Sequence, residues 1–160
     1  MTTDGFTTCL WYDGQAEEAA NFYVSVFKNS SIGNTLRYTE AGPGPVGSVL
    51  TVEFVANGQK FVALNGGPEF KFSEAISFQI DCEDQAEVDY YWDKLVEGGG
   101  EHGPCGWLKD RFGVSWQVNP IRLTEMLLDP DQAKADRAMK AMLSMSKLDV
   151  AELEKAFAGE

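Results

Sequence analysis

The residues best suited to chemistry in this 160-residue chain are neutral polar side chains at alternating positions of short apolar segments. Such alternation is typical of β-strands, in which successive side chains point to opposite faces of a sheet. The segments 50–55, 76–81 and 114–119 each have one apolar face and one polar face. The polar faces carry Thr51, Glu53, Ser77, Gln79, Ser115 and Gln117. Because uncharged polar groups suit a partly buried cleft, we expect a binding surface here; a solvated sheet face is the alternative.

Glu53 and Trp107 have the clearest individual roles on such a surface. A carboxylate in a cleft can have a raised pKa and act as a general base, which makes Glu53 the candidate catalytic residue. The alternative is a glutamate paired with Arg37, Lys60 or solvent. Trp107 could stack on a ligand or pack in the core, whereas Trp116 belongs to the apolar face by its position.

Two further motifs are weaker signals. His102, the only histidine, forms a His-x-x-Cys pair with Cys105, which suggests an imidazole-activated thiol or half of a metal site. Two donors do not complete a zinc site, so a loop histidine beside a packed cysteine is the alternative. The segment 42–47 matches G-x-G-x-x-G, but its prolines remove N–H donors and a strand follows. This predicts a mobile loop rather than a phosphate-binding turn.

The elements that position these residues occur twice, because Gln15-Ala16-Glu17 recurs 70 positions later as Gln85-Ala86-Glu87. Each copy has an alternating run, an acidic turn with a possible cap at Asp13 or Asp84, and a helical pattern. The strands that follow are predicted near 31–40, 48–56 and 59–65, and again near 101–108 and 114–119. Asn57-Gly58 predicts a type I′ hairpin turn.

Residues 121–160 lie outside the repeat and have a helical pattern. Asp129 precedes Pro130 as the cap of a helix should. Asp149 and Glu152 have the spacing of a second helix start, and Gly159 stands where that helix would end. We therefore expect a helical extension after the second copy.

Charge and composition restrict the partners. The chain has 13 basic and 25 acidic residues, a formal net charge of -12, which disfavours nucleic acids and anionic membranes. No apolar run approaches the ~18 residues of a membrane-spanning helix. The first residues do not resemble a secretory signal, and three widely spaced cysteines do not form a disulfide framework. We expect a cytoplasmic protein.

Three stretches, 10–23, 105–120 and 141–149, resemble the PhnB-like group of the vicinal oxygen chelate (glyoxalase/bleomycin-resistance) superfamily. The resemblance implies an α+β fold in which two βαβββ modules form a cupped eight-stranded mixed sheet around a small-molecule cleft, in a homodimer. It treats residues 1–160 as one domain. Module one would span about 5–66, module two about 74–120, and the C-terminal helices about 121–160.

Metalloenzymes of that superfamily hold a divalent ion on the cleft face with His, Gln or Glu. Carried over by position, the resemblance places these sites near Thr7, Ala63 or Asn65, Ala75 or Ser77, and Gln117. Only Gln117 is a plausible ligand, and a weak one, because a divalent site needs about three protein donors. We therefore expect no cofactor, with a divalent metal as the alternative.

The leading hypothesis is a small-molecule-binding protein without a complete metal site. Its ligand would contact Ser77, Gln79, Gln117, Glu53 and Trp107. One alternative is a metal-dependent lyase, isomerase or dioxygenase in which Gln117 and Glu53 hold the ion, together with a further ligand from the first strand or from a partner subunit. Another is a dimerising structural module with a vestigial cleft. Some relatives carry a ubiquinone-methyltransferase name, but no nucleotide-binding turn of an S-adenosylmethionine enzyme is recognisable.

Overall fold

The structure is a computed structural model that describes residues 5–160, which form two compact units divided between Phe72 and Ser73. The first unit contains β1 (Thr8–Tyr12), α1 (Ala16–Val26), β2 (Ser31–Arg37), β3 (Val49–Ala56) and β4 (Gln59–Asn65). The second contains β5 (Ser77–Cys82), α2 (Gln85–Lys94), β6 (Glu101–His102), β7 (Trp107–Lys109), β8 (Ser115–Pro120), α3 (Ile121–Leu127), α4 (Gln132–Leu143) and α5 (Val150–Ala158).

Both units have the same sheet topology. The strand orders are β1-β4-β3-β2 and β5-β8-β7-β6, so the first strand of each unit pairs with the last. That pairing is parallel and the others are antiparallel. The α+β prediction of two βαβββ modules followed by helices is confirmed, with the strands divided over two four-stranded sheets. The assignment of the whole chain to one domain stays a prediction.

Alternation along the strands separates a helix-covered face from an open face in each unit. In the first unit, Leu10, Ala63 and Val52 are cross-strand neighbours, and all three are buried. Helix α1 buries its own apolar stripe of Ala16, Ala19, Ala20, Phe22, Tyr23 and Val26. In the second unit, Trp116 and Val118 are buried as their positions predict, and α2 contributes Val88, Tyr91 and Trp92.

Two of the four predicted helix starts differ from the observed ones. Asp84 caps α2 as predicted, accepting a hydrogen bond from the Glu87 backbone N–H. Asp13 does not cap α1: Gln15 stands at that position, and the Asn65 side chain accepts from the Ala16 N–H at 2.9 Å. A local motif cannot predict this cap because its donor and acceptor are 49 positions apart.

Helix α4 begins at Gln132, two residues after the predicted Pro130. Asp131 is its N-cap residue and accepts from the N–H groups of Ala133 and Lys134, while Asp129 accepts from the Asp131 N–H. The second predicted start is correct, since Asp149 caps α5 through the Glu152 N–H. Gly159 ends α5 with a positive φ of 88°.

The predicted strand 101–108 is interrupted, and the predicted strand 31–40 ends at Arg37. The interruption is a loop, residues 103–106, whose proline has no N–H and whose Cys105 and Gly106 have positive φ. A Cβ on Gly106 would lie 2.9 Å from the Val118 carbonyl and 3.0 Å from a Leu148 methyl. Glycine therefore permits the close approach of the C-terminal segment to this loop.

The C-terminal helices build a separate apolar cluster in the second unit from Leu123, Met126, Ala138, Leu148 and Leu153. The segment between α4 and α5 binds the 103–106 loop through its backbone. Met145 and Ser146 carbonyls accept from the N–H groups of Cys105 and Gly106, both at 2.8 Å. None of the helices between residues 5 and 160 is long and apolar enough to cross a membrane.

Candidate functional site

The open face of the second sheet brings together most of the predicted binding residues. Gln79 lies opposite Gln117 on the neighbouring strand, and Gln117 lies opposite Trp107. A parallel row one step along the strands joins Ser77, Ser115, Lys109 and Glu101. Two adjacent rows of polar and aromatic side chains therefore extend across the sheet, one over three strands and the other over all four.

Hydrogen bonds orient the polar side chains of these rows. The Gln79 amide donates to Gln117 Oε1 at 3.3 Å, and Gln117 Nε2 donates to Ser77 Oγ at 2.8 Å. Ser77 and Gln117 are half-buried, whereas Gln79 is exposed. Each side chain restricts its neighbour's rotamers, so this surface presents fixed polar groups rather than freely rotating ones.

A cavity of about 430 Å³ opens on the same unit. Its lining includes Trp107, His102, residues 103–104, Ser115, and the charged residues Glu74, Glu101 and Lys109. Glu74 and Lys109 form an ion pair. The hydrogen bond between them raises the pKa of Lys109 and lowers the pKa of Glu74. Both groups therefore carry their charges at neutral pH.

Ser115 is the most unusual residue of the cavity wall. It is only 1% exposed, yet its Oγ has no hydrogen-bond partner among residues 5–160. A buried hydroxyl without a partner is costly, by about 1–3 kcal/mol. Sequence reasoning placed Ser115 on this face but did not single it out, because composition does not show which hydroxyl lacks a partner.

Asp110 begins the turn before Gln117, and its hydrogen-bonding role is one that the sequence did not predict. Its buried carboxylate accepts from the N–H groups of Phe112 and Val114 at 2.9 and 3.0 Å and from the Trp116 indole at 2.9 Å. These bonds hold the β7–β8 turn, which positions Trp107 and Gln117. An aspartate at the start of a turn that contains a glycine is the available sequence signal.

Glu53, the catalytic candidate, lies in the first unit on β3. Its side chain is exposed, and it accepts a hydrogen bond from the Asn34 amide at 3.0 Å. Arg37, one of the partners considered from the sequence, instead donates to the Gly47 carbonyl. The surroundings of Glu53 are those of a surface glutamate beside an amide.

The positions that the family resemblance assigns to metal ligands do not form a donor set. Ala63 has no side-chain donor atom and is fully buried under α1. The Asn65 side chain accepts from the Ala16 N–H and donates to the Val49 carbonyl, and the Asn65 backbone carbonyl accepts from the Tyr38 hydroxyl. The Gln117 oxygen accepts from Gln79. No group of three or more His, Cys, Asp or Glu side chains in residues 5–160 is arranged to hold a metal. The residues present do not fit a divalent catalytic ion.

The first unit has its own cavity of about 550 Å³, lined by Asp13, Glu17, Tyr38, Asn65 and the 43–45 segment among others. Tyr38 donates to the Asn65 carbonyl at 3.0 Å. Cβ atoms on Gly42 and Gly44 would lie 2.9 and 2.6 Å from the Tyr38 ring. The first two glycines of the G-x-G-x-x-G match therefore allow close packing against a tyrosine, between β2 and β3, whereas Gly47 has a positive φ of 86°.

Comparisons with known proteins agree with this architecture. Residues 4–119 match the family described as 3-demethylubiquinone-9 3-methyltransferase. The PhnB protein of Bacillus cereus is 37% identical and has a TM-score of 0.64; the match covers 73% of this chain and 99% of that one. The chain belongs to this PhnB-like family, within the vicinal oxygen chelate superfamily.

More distant structures share the fold alone. A Pseudomonas aeruginosa protein is 21% identical with a TM-score of 0.59, over 72% of this chain and 96% of its own. The fosfomycin resistance protein FosX of Listeria monocytogenes is 18% identical with a TM-score of 0.54, over 81% and 100%. The comparison with curated proteins found no match.

In this PhnB-like chain, the His-x-x-Cys pair has structural contacts. The His102 ring stacks on Trp92 with 4.3 Å between ring centroids, and its Nε2 lies 2.9 Å from the Trp92 carbonyl. Because a carbonyl can only accept, Nε2 carries the hydrogen. The Cys105 N–H donates to Met145. All three cysteines are free, and burial raises the pKa of Cys82 to about 12, so Cys82 stays a neutral thiol.

Proposed function

We propose that this PhnB-like protein binds a small molecule on the open face and in the cavity of its second unit. The contacting residues would be Ser77, Gln79, Gln117 and Trp107, with Ser115 added. The observation that carries the proposal is the buried Ser115 hydroxyl, which has no partner in a cavity wall beside a fixed polar network. A ligand would supply the missing hydrogen bond.

We keep Glu53 only as a catalytic candidate to be tested by mutation. Its side chain is exposed in the first unit and accepts a hydrogen bond from Asn34. We do not adopt the metal-dependent lyase, isomerase or dioxygenase, since the donor set is incomplete. Nor do we extend the methyl transfer in the family's name to this chain. Its G-x-G-x-x-G match at 42–47 leads into β3 rather than into a helix.

The proposal includes a homodimer and a cytoplasmic location, as the family resemblance implies. Exposed Ile32 and Leu36 on the edge strand β2 are compatible with a partner surface. Light scattering on the eluting protein tests the dimer: a mass of twice the 17.6 kDa chain supports it, and a monomer at all concentrations contradicts it.

Tryptophan fluorescence titration against a metabolite library tests the binding function. We expect a saturable signal that is lost in Trp107→Phe and kept in Trp11→Phe. Trp11 is the matched control because its indole already donates to the Gly67 carbonyl at 2.8 Å. Gln117→Ala should weaken the binding because it removes the centre of the polar network.

Two outcomes would contradict the proposed binding site. If the signal persists in Trp107→Phe, or if Gln117→Ala and Ser115→Ala leave every dissociation constant unchanged, this face is not the binding site. Glu53→Gln serves as the test of the catalytic candidate: unchanged binding together with unchanged turnover of any bound compound removes it from the site.

A further inference from the structure

The charged groups of the second-unit cavity do not balance. Among the described residues of the lining, Glu74 and Glu101 are acidic, Lys109 is basic and His102 is counted as neutral, so acidic groups exceed basic groups by one. The whole chain, these residues included, has a formal net charge of -12. A positive ligand is therefore attracted to this cavity, and an anion is repelled.

Lys109, the one lysine among the described lining residues, already has an ion-pair partner. Lys109 of β7 pairs with Glu74, and its cross-strand neighbour on β6 is Glu101. Within residues 5–160, Glu101 makes no ion pair within 4.0 Å and influences Lys109 only through space. Glu101 is therefore an exposed carboxylate at the cavity that has no ion-pair partner among the described residues and is open to a positively charged ligand.

The other groups of the cavity complete the recognition of a cation. Ser115 continues the row of Glu101 and Lys109 across the sheet, and its buried hydroxyl has no hydrogen-bond partner among residues 5–160. Trp107 provides an aromatic surface, which attracts ammonium groups through its electron-rich face. Residues 103–104 add an uncharged wall that suits an apolar body.

We infer that the cavity takes a small organic cation, an ammonium group on an apolar or aromatic body. This inference rests on the proposed function and adds the charge class of its ligand. The ammonium lies between Glu101 and the Trp107 ring and donates to the Glu101 carboxylate and the Ser115 hydroxyl oxygen, while the apolar body lies against residues 103–104.

Three compounds of equal size and different charge test the inference: benzylammonium, benzyl alcohol and benzoate. Isothermal titration into the full chain at low salt should show benzylammonium binding at least ~10-fold tighter than benzyl alcohol, with no measurable binding of benzoate. Salt should weaken the preference, because exposed charges are screened. The inference fails if benzoate binds best or if benzyl alcohol equals benzylammonium.

A pair of charge-matched variants locates the effect. Glu101→Gln should remove the preference for benzylammonium, and Glu83→Gln, an exposed residue outside the lining, should keep it. A preference that survives in Glu101→Gln overturns the inference. Failure of the two proposals is distinguishable: if all three compounds fail but a library compound gives a Trp107-dependent signal, only the charge class is wrong. If no compound gives that signal, the binding function is wrong too.

Discussion

The two units share one topology but close their corresponding hairpins by different means. β3 and β4 are joined by Asn57 and Gly58, whose φ values of 50° and 78° fit a type I′ turn. β7 and β8 are joined by a longer turn that the Asp110 carboxylate holds through three hydrogen bonds. The first hairpin depends on backbone preference, and the second depends on one buried side chain.

The open faces of the two units also differ in how their polar side chains are hydrogen-bonded. In the first unit, the Trp11 indole is bonded to Gly67 and the Glu53 carboxylate to Asn34. In the second unit, Gln79, Gln117 and Ser77 bond one another while Ser115 has no partner. Repeated topology therefore does not imply repeated function. The second unit holds the unsatisfied group that a ligand could complete.

The largest expected effect comes from Asp110→Ala. It leaves three donors without their acceptor, so we expect the free energy of unfolding to fall by about 3–5 kcal/mol. The matched change in the other hairpin, Asn57→Ala, should cost only about 1–2 kcal/mol, because it strains one positive-φ residue. Urea unfolding measures both. Equal losses would show that the hairpins do not differ as described.

Leu148→Ala should have the next largest effect. Leu148 is fully buried in the C-terminal cluster and touches the 103–106 loop, so truncation should cost about 2–5 kcal/mol. Leu128, which is 78% exposed, is the control, and Leu128→Ala should stay within about 0.5 kcal/mol. A neutral Leu148→Ala would mean that the helices do not support this unit.

Two serines of one sheet face should respond in opposite directions. Ser115→Ala removes a buried hydroxyl that has no partner, so the unfolding free energy should stay equal or rise by up to about 1–3 kcal/mol. Ser77→Ala removes the acceptor of the Gln117 amide and should cost about 1 kcal/mol. Thermal and urea unfolding without ligand measure both. A destabilised Ser115→Ala would reveal a structural partner.

The smallest expected effect is a change in how folding stability depends on pH in the acidic range. Hydrogen bonding to Arg122 lowers the pKa of Glu154 from its usual 4.5, so this carboxylate stabilises the folded state above that value. Its contribution is lost as the pH falls through the lowered pKa. Glu154→Gln should flatten stability against pH below about 4.5 and leave the slope near neutrality unchanged. An unchanged acid slope would contradict this role.

Periodicity predicted the sheet faces because burial follows alternation along each strand, as Trp116 and Val52 show. Residue types could not predict long-range partners. The cap of α1 comes from Asn65, and the interruption at 103–106 depends on backbone contacts with Met145 and Ser146. Alternation placed Ser77, Gln79 and Gln117 on one sheet face, as observed, and their role in binding stays a prediction. The roles of Ser115 and Asp110 require knowledge of which hydrogen bonds are made.

The most direct test of the central claim is an NMR titration of the full chain with nitrogen-15-labelled tryptophan. Trp11 and Trp116 indole N–H groups are bonded to Gly67 and Asp110 and serve as internal references. Benzylammonium, or a compound found in the library screen, should shift the Trp107 signal and leave those of Trp11 and Trp116 in place. Saturable shifts at Trp11 with Trp107 unmoved would place binding in the first unit and contradict the account.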